Sequence, residues 1–74
     1  MLPLSELKQG SRGRVVSIAA GHGATRRLME MGLIPGETVE VLSNYFGPVV
    51  VRVRGVTFAL GRGLASKVLV EVIE

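Results

Sequence analysis

Hydrophobic residues in this chain recur in short runs whose period changes along the sequence, and the changes mark the elements. Gly13 to Ala20 reads as a strand entered from a Gln9-Gly10-Ser11 turn, with Val15 and Val16 side by side interrupting strict alternation and leaving the facing of Val16 and Ile18 open. Ala24, Leu28 and Met31 then fall at i, i+4 and i+7, one stripe of a short helix, while Arg26, Arg27 and Glu30 take the opposite side. Thr25 has the chemistry of the N-cap. Gly32 supplies the left-handed residue that ends a helix, and Leu33 beyond it is placed to fold back on Leu28, the contact of a Schellman stop. Pro35-Gly36 follows as a type II turn.

From Glu37 to Leu42 the pattern alternates, with Val39 and Val41 on one face and Thr38, Glu40 and Leu42 on the other. Val49, Val51 and Val53 alternate against Val50, Arg52 and Arg54, and Arg54-Gly55 marks a tight reversal into a strand over Thr57 to Leu60. In the last run, Val68 to Ile73, Val68, Val70 and Val72 share a face. Leu4 to Lys8 and Gly61 to Ser66 each fit a single helical turn, the second weakened by Gly61 and Gly63. Five short strands and closely spaced turns predict a mainly β fold, a small barrel with one inserted helix, and closure of the barrel would remove exposed strand edges.

Length adds a constraint. A single domain of 74 residues hides only about 60% of the surface of its unfolded chain. There is no Cys to staple it, so stability is expected from packing, tight turns or self-association. The apolar runs are far shorter than a bilayer span, and Met1-Leu2-Pro3 does not open a signal peptide; a soluble, unprocessed, cytoplasmic protein is expected. A net charge of +3 points to anionic partners. An aromatic content of 4% leaves little for base stacking, which disfavours a nucleic-acid module built on Arg52, Arg54 and Arg62.

Catalytic parts are missing. His22 is the one imidazole, there is no thiol, and Glu6, Glu30, Glu37, Glu40, Glu71 and Glu74 are scattered singly, so neither a carboxylate pair nor a nucleophile with its base is present in the pattern. No enzymatic activity and no cofactor are expected. For a transition metal such as iron or zinc the sequence offers only His22 and Glu30, short of a four-ligand site unless two chains share it. Gly21-His22-Gly23 feeding a helix evokes a phosphate cradle but lacks the Lys-Ser/Thr of a P-loop; its glycines are read as shaping the turn.

Arg26 and Arg27, read as lying in the first helical turn, oppose the macrodipole there, and a pair with Glu30 is the simplest compensation. The alternative is a basic contact surface. Met29, between the two faces, is read as core filler. Tyr45 and Phe46, in the loop Asn44 to Pro48, are either interface anchors or a lid over one barrel end, the lid being favoured in so small a domain.

The run Arg27-Leu28 … Met31-Gly32-Leu33-Ile34-Pro35-Gly36 … Val39-Val41, then Gly47-Pro48 before a Val-rich strand, then Phe58, Leu60, Arg62, Ala65, Val68 and Val70, resembles the FeoA family of ferrous iron transport. The resemblance covers nearly the whole chain. It implies an SH3-like small β-barrel with a helix inserted after the first strand. It also implies a non-enzymatic accessory protein whose partner is FeoB, the membrane permease with a cytosolic GTP-binding domain. Arg26, Arg27, Glu30, Tyr45 and Phe46 are the residues expected at that contact. A similar module ends the iron-dependent repressors, which keeps a metal sensor or carrier as an alternative function. The loop Asn44 to Pro48 departs from the family's P-x-G-D-P form in being shorter and lacking its Asp.

Overall fold

A computed structural model describes the whole chain, Met1–Glu74. Its elements are β1 (Leu2–Pro3), a 3-10 turn (Leu4–Glu6), β2 (Arg12–Ile18), α1 (His22–Glu30), β3 (Thr38–Ser43), β4 (Val49–Val53), β5 (Val56–Leu60), α2 (Arg62–Ala65) and β6 (Val68–Val72). All strands join one antiparallel sheet in the order β1-β6-β2-β3-β4-β5. The fold is mainly β, as expected, but with six strands rather than five. β1 and β5 end the sheet without pairing with each other, so two strand edges remain.

The core follows from the alternation. Val39, Val41, Val49, Val51, Val53, Val68 and Val70 point inward with Leu4, Leu7, Val15, Leu28, Leu33, Leu60 and Ala65, all essentially fully buried. Branched valine dominates because it suits a pleated surface and loses little rotamer freedom there. Val72 shares the face of Val68 and Val70, as expected, but stands 49% exposed at the end of β6, opposite Gly13, which offers no side chain to pack against.

The doubled Val15-Val16 has a structural reason. The register of β2 on β6 shifts between Val15 and Ser17, so Val16 bulges outward and is exposed, whereas Ile18 returns to pack against the core. Gly13 sits where a Cβ would lie 3.1 Å from Leu7 Cδ2 and 3.2 Å from Val70 Cβ, so a side chain at this crossing of β2 over the core would have to push these neighbours aside.

The stop of α1 is a Schellman motif. Gly32 has φ +98°, its N–H donates to Met29 O at 2.9 Å, and Leu33 N–H donates to Leu28 O at 3.0 Å. Leu28 and Leu33 are both fully buried. The Pro35-Gly36 turn closes with Glu37 N–H on Ile34 O at 3.0 Å and is stitched to β2, Gly36 N–H donating to Val15 O and Val15 N–H to Glu37 O. Arg54 and Gly55, at φ 53° and 81°, form the two-residue reversal between β4 and β5.

Candidate functional site

The start of α1 differs from expectation, and the difference changes the electrostatics. The helix begins at His22 with Gly21 as its N-cap; Thr25 N–H already bonds Gly21 O at 2.9 Å, so Thr25 lies inside the helix, and its Oγ1 donates to Ala20 O at 3.1 Å. No side chain caps the helix. Neither Gly21 nor Gly23 has a positive φ or a neighbour within 4 Å of a Cβ, so neither is required by the turn. Arg26 and Arg27 therefore fall past the first turn, Arg27 in the last one, and the expected opposition to the helix dipole is absent.

The expected pairing with Glu30 is absent as well. Ion pairs join Arg14 to Glu71 at 3.7 Å, Arg52 to Glu40 at 3.6 Å, Arg54 to Glu37 at 3.9 Å, and Arg12 to Glu74. Arg26, Arg27 and Glu30 belong to none of these pairs, and all three are exposed. Met29, read as core filler, instead stands 42% exposed between them. His22, Gly23, Thr25, Arg26, Met29 and Glu30 line one shallow, open groove along this face of α1. Arg27 lies beside the groove rather than in it. The result is an apolar centre with unpaired cations and one carboxylate at its margin.

His22 and Glu30 share the groove but stand about 12 Å apart along the helix axis, at 1.5 Å per residue. No group of three or more His, Asp or Glu side chains converges anywhere in the fold. Within one chain these residues do not fit a transition-metal site.

Tyr45 and Phe46 do not form a lid. They are 72% and 90% exposed at the tip of the loop between β3 and β4, and neither lines the α1 groove. The neighbour of Tyr45 holds the loop instead. Asn44 Nδ2 donates to Ser5 O at 2.9 Å and Leu7 O at 2.6 Å, and its Oδ1 accepts from Arg62 Nη2 at 2.5 Å. Arg62 also donates to Tyr45 O at 3.0 Å and, from Nη1, to Ser5 O at 3.4 Å. This latch ties the segment after β1, which holds Ser5, to the turn after β5, which holds Arg62. Both aromatic side chains are therefore excluded from the core and carried on a braced loop.

The three arginines of a nucleic-acid reading are thus committed elsewhere, Arg52 and Arg54 to carboxylates and Arg62 to the latch. Neither Met29 nor Asn44 was singled out by periodicity. A lone Met between the faces of a helix gives no signal of exposure, and the partners of Asn44 are distant in sequence.

The family model of the FeoA domain matches residues 2–72. The chain belongs to the FeoA family. It is 44% identical over 71 residues to the "Putative Fe(2+) transport protein A" of Methanocaldococcus jannaschii, covering 96% of this chain and 87% of that one. A crystal structure of an iron uptake regulatory protein, FeoA, superposes with a TM-score of 0.89 at 47% identity, covering 97% of this chain and 96% of the other. FeoA from Stenotrophomonas maltophilia, a procaryotic SH3 domain protein solved in complex with zinc, superposes with a TM-score of 0.87 at 31% identity over 96% of this chain and 91% of its own. The small SH3-like β fold of the family is the fold described above. No helix in this FeoA-family chain is long and apolar enough to cross a membrane.

Proposed function

We propose that this protein is a non-enzymatic accessory factor of ferrous iron uptake that acts in the cytoplasm by contact with the cytosolic part of a FeoB-type, GTP-dependent permease. Membership of the FeoA family supports the pathway. The observation that carries the contact mode is the α1 face, where Arg26 and Arg27 have no carboxylate partner beside exposed Met29, although four other arginines of the chain are paired. Unpaired cations around an apolar centre favour an acidic partner surface, by charge complementarity at the rim and desolvation at the middle. Glu30 fixes orientation at one end of the same groove, and Tyr45 and Phe46 supply a second, aromatic contact.

The test is charge reversal, Arg26→Glu with Arg27→Glu, read as ferrous-iron-dependent growth and as co-purification with the permease. The expected result is loss of both with an unchanged circular dichroism spectrum. Normal growth and co-purification would remove these residues from the contact.

A second reading, a metal sensor or carrier, is favoured only by the zinc in the Stenotrophomonas maltophilia relative. In this chain such a site needs His22 or Glu30 from two copies. Calorimetry with zinc and ferrous ions on the protein and on His22→Ala decides it, and no heat with either ion eliminates it.

A further inference from the structure

One edge of the sheet is left open, and its backbone geometry is self-complementary. In a two-residue hairpin the residues flanking the turn, here Val53 and Val56, exchange hydrogen bonds, and bonded pairs then alternate along the ladder. Val51–Phe58 and Val49–Leu60 are therefore the next bonded pairs. Thr57 and Ala59 direct their N–H and C=O groups away from β4, toward the free edge, where no other segment of the chain bonds them. Both residues are exposed.

Edge strands in natural proteins are usually guarded by Lys, Pro, a bulge or a covering element. β5, Val-Thr-Phe-Ala-Leu, carries no charge and no proline, and its register on β4 runs without a shift. The contrast lies within the same sheet: the opposite edge, β1, is two residues long and contains Pro3.

We infer that the β5 edge is the dimerisation surface of this protein, two copies pairing their β5 strands antiparallel about a two-fold axis at Phe58. In that register Thr57 of one copy lies opposite Ala59 of the other, and the free N–H and C=O groups of both residues are satisfied reciprocally, with none left over. A shift by one residue would bring edge-facing groups against groups already bonded to β4. Arg54 of one copy approaches Arg62 of the other at each end, but the first faces Glu37 and the second is held by Asn44 and Tyr45 O, so no free like charges meet. The small outward side chains of Thr57 and Ala59 allow the close approach. The inference stands independently of the α1 contact, which uses other residues.

Sedimentation equilibrium of the full chain up to ~1 mM, combined with amide hydrogen exchange, tests it. The expected result is a concentration-dependent dimer in which the Thr57 and Ala59 amides gain at least about tenfold protection, whereas the Phe58 and Leu60 amides, already bonded to β4, do not change. Ala59→Lys, an exposed position, should weaken the dimer at least about tenfold with an unchanged circular dichroism spectrum. Thr57→Pro, which removes an edge-facing donor and no bond to β4, should do the same. A chain that stays monomeric with fast exchange at Thr57 and Ala59 overturns the inference. So does a dimer in which those amides remain unprotected, or one indifferent to Ala59→Lys.

Discussion

Arg62 Nη2 donates to Asn44 Oδ1 at 2.5 Å, and this one bond joins the loop after β3 to the turn after β5. Asn44 passes the connection on to Ser5 O and Leu7 O, beyond the end of β1. β1 and β5 do not pair, and these side chains tie together the segments that follow them.

Removing Asn44 therefore unties two partly buried carbonyls and one guanidinium together. Asn44→Ala should cost about 2–3 kcal/mol, since charged hydrogen bonds and unsatisfied partly buried acceptors each count for more than a typical net bond. Urea unfolding measures it. Arg62→Ala should be similarly harmful, and the double mutant should show a coupling of about 0.5–3 kcal/mol. Arg62→Lys should not rescue, because one ammonium cannot reproduce the fork that reaches Asn44 Oδ1, Tyr45 O and Ser5 O.

Two glycines of one helix should respond to the same substitution with opposite signs. Gly32 is left-handed, and a Cβ there would meet Val53 Cγ1 at 3.1 Å and Arg54 Cδ at 3.2 Å. Gly32→Ala should lose about 1–2 kcal/mol from the backbone alone, with the packing conflict added. Gly23 is helical with nothing within 4 Å, so Gly23→Ala should gain about 0.5–1 kcal/mol. Thermal melts of the two variants should bracket the parent.

What the sequence disclosed was largely local. The Schellman stop at Gly32, the Pro35-Gly36 turn, the Arg54-Gly55 reversal and the valine alternation each depend on residues within a few positions, where φ preference and period act directly. What it withheld was long-range or compensated. Thr25 has cap chemistry, yet the helix starts before it on an uncapped glycine. Val16 is hydrophobic, yet a bulge turns it out. At the candidate site the arginines were legible as exposed. Their lack of carboxylate partners depended on which strands brought Glu37, Glu40, Glu71 and Glu74 beside other arginines, and that pairing is a property of the sheet order.

Arg54 is the single non-glycine residue with positive φ, 53°, in a hairpin turn that favours Asn or Gly there. Its ion pair with Glu37, at 3.9 Å and largely exposed on the arginine side, contributes little. Arg54→Asn should therefore raise stability by about 0.5–1 kcal/mol, visible as a higher urea midpoint with an unchanged slope.

Tyr45 and Phe46 offer the cleanest separation of fold from contact. Their side chains are 72% and 90% exposed, whereas the loop is braced through Asn44 and the Tyr45 carbonyl, a backbone group that substitution does not remove. Tyr45→Ser with Phe46→Ser should change unfolding free energy by no more than about 0.5 kcal/mol, as for surface positions generally. If the loop is the aromatic half of the permease contact, the same variant should weaken co-purification by at least about tenfold, the size of a lost interface anchor. Combined with Arg26→Glu it should lose more than either change alone, because α1 and the loop are separate elements with additive contributions. A destabilised double serine variant would show that the aromatics pack against the barrel after all, and a stable one with full permease binding would restrict the contact to α1.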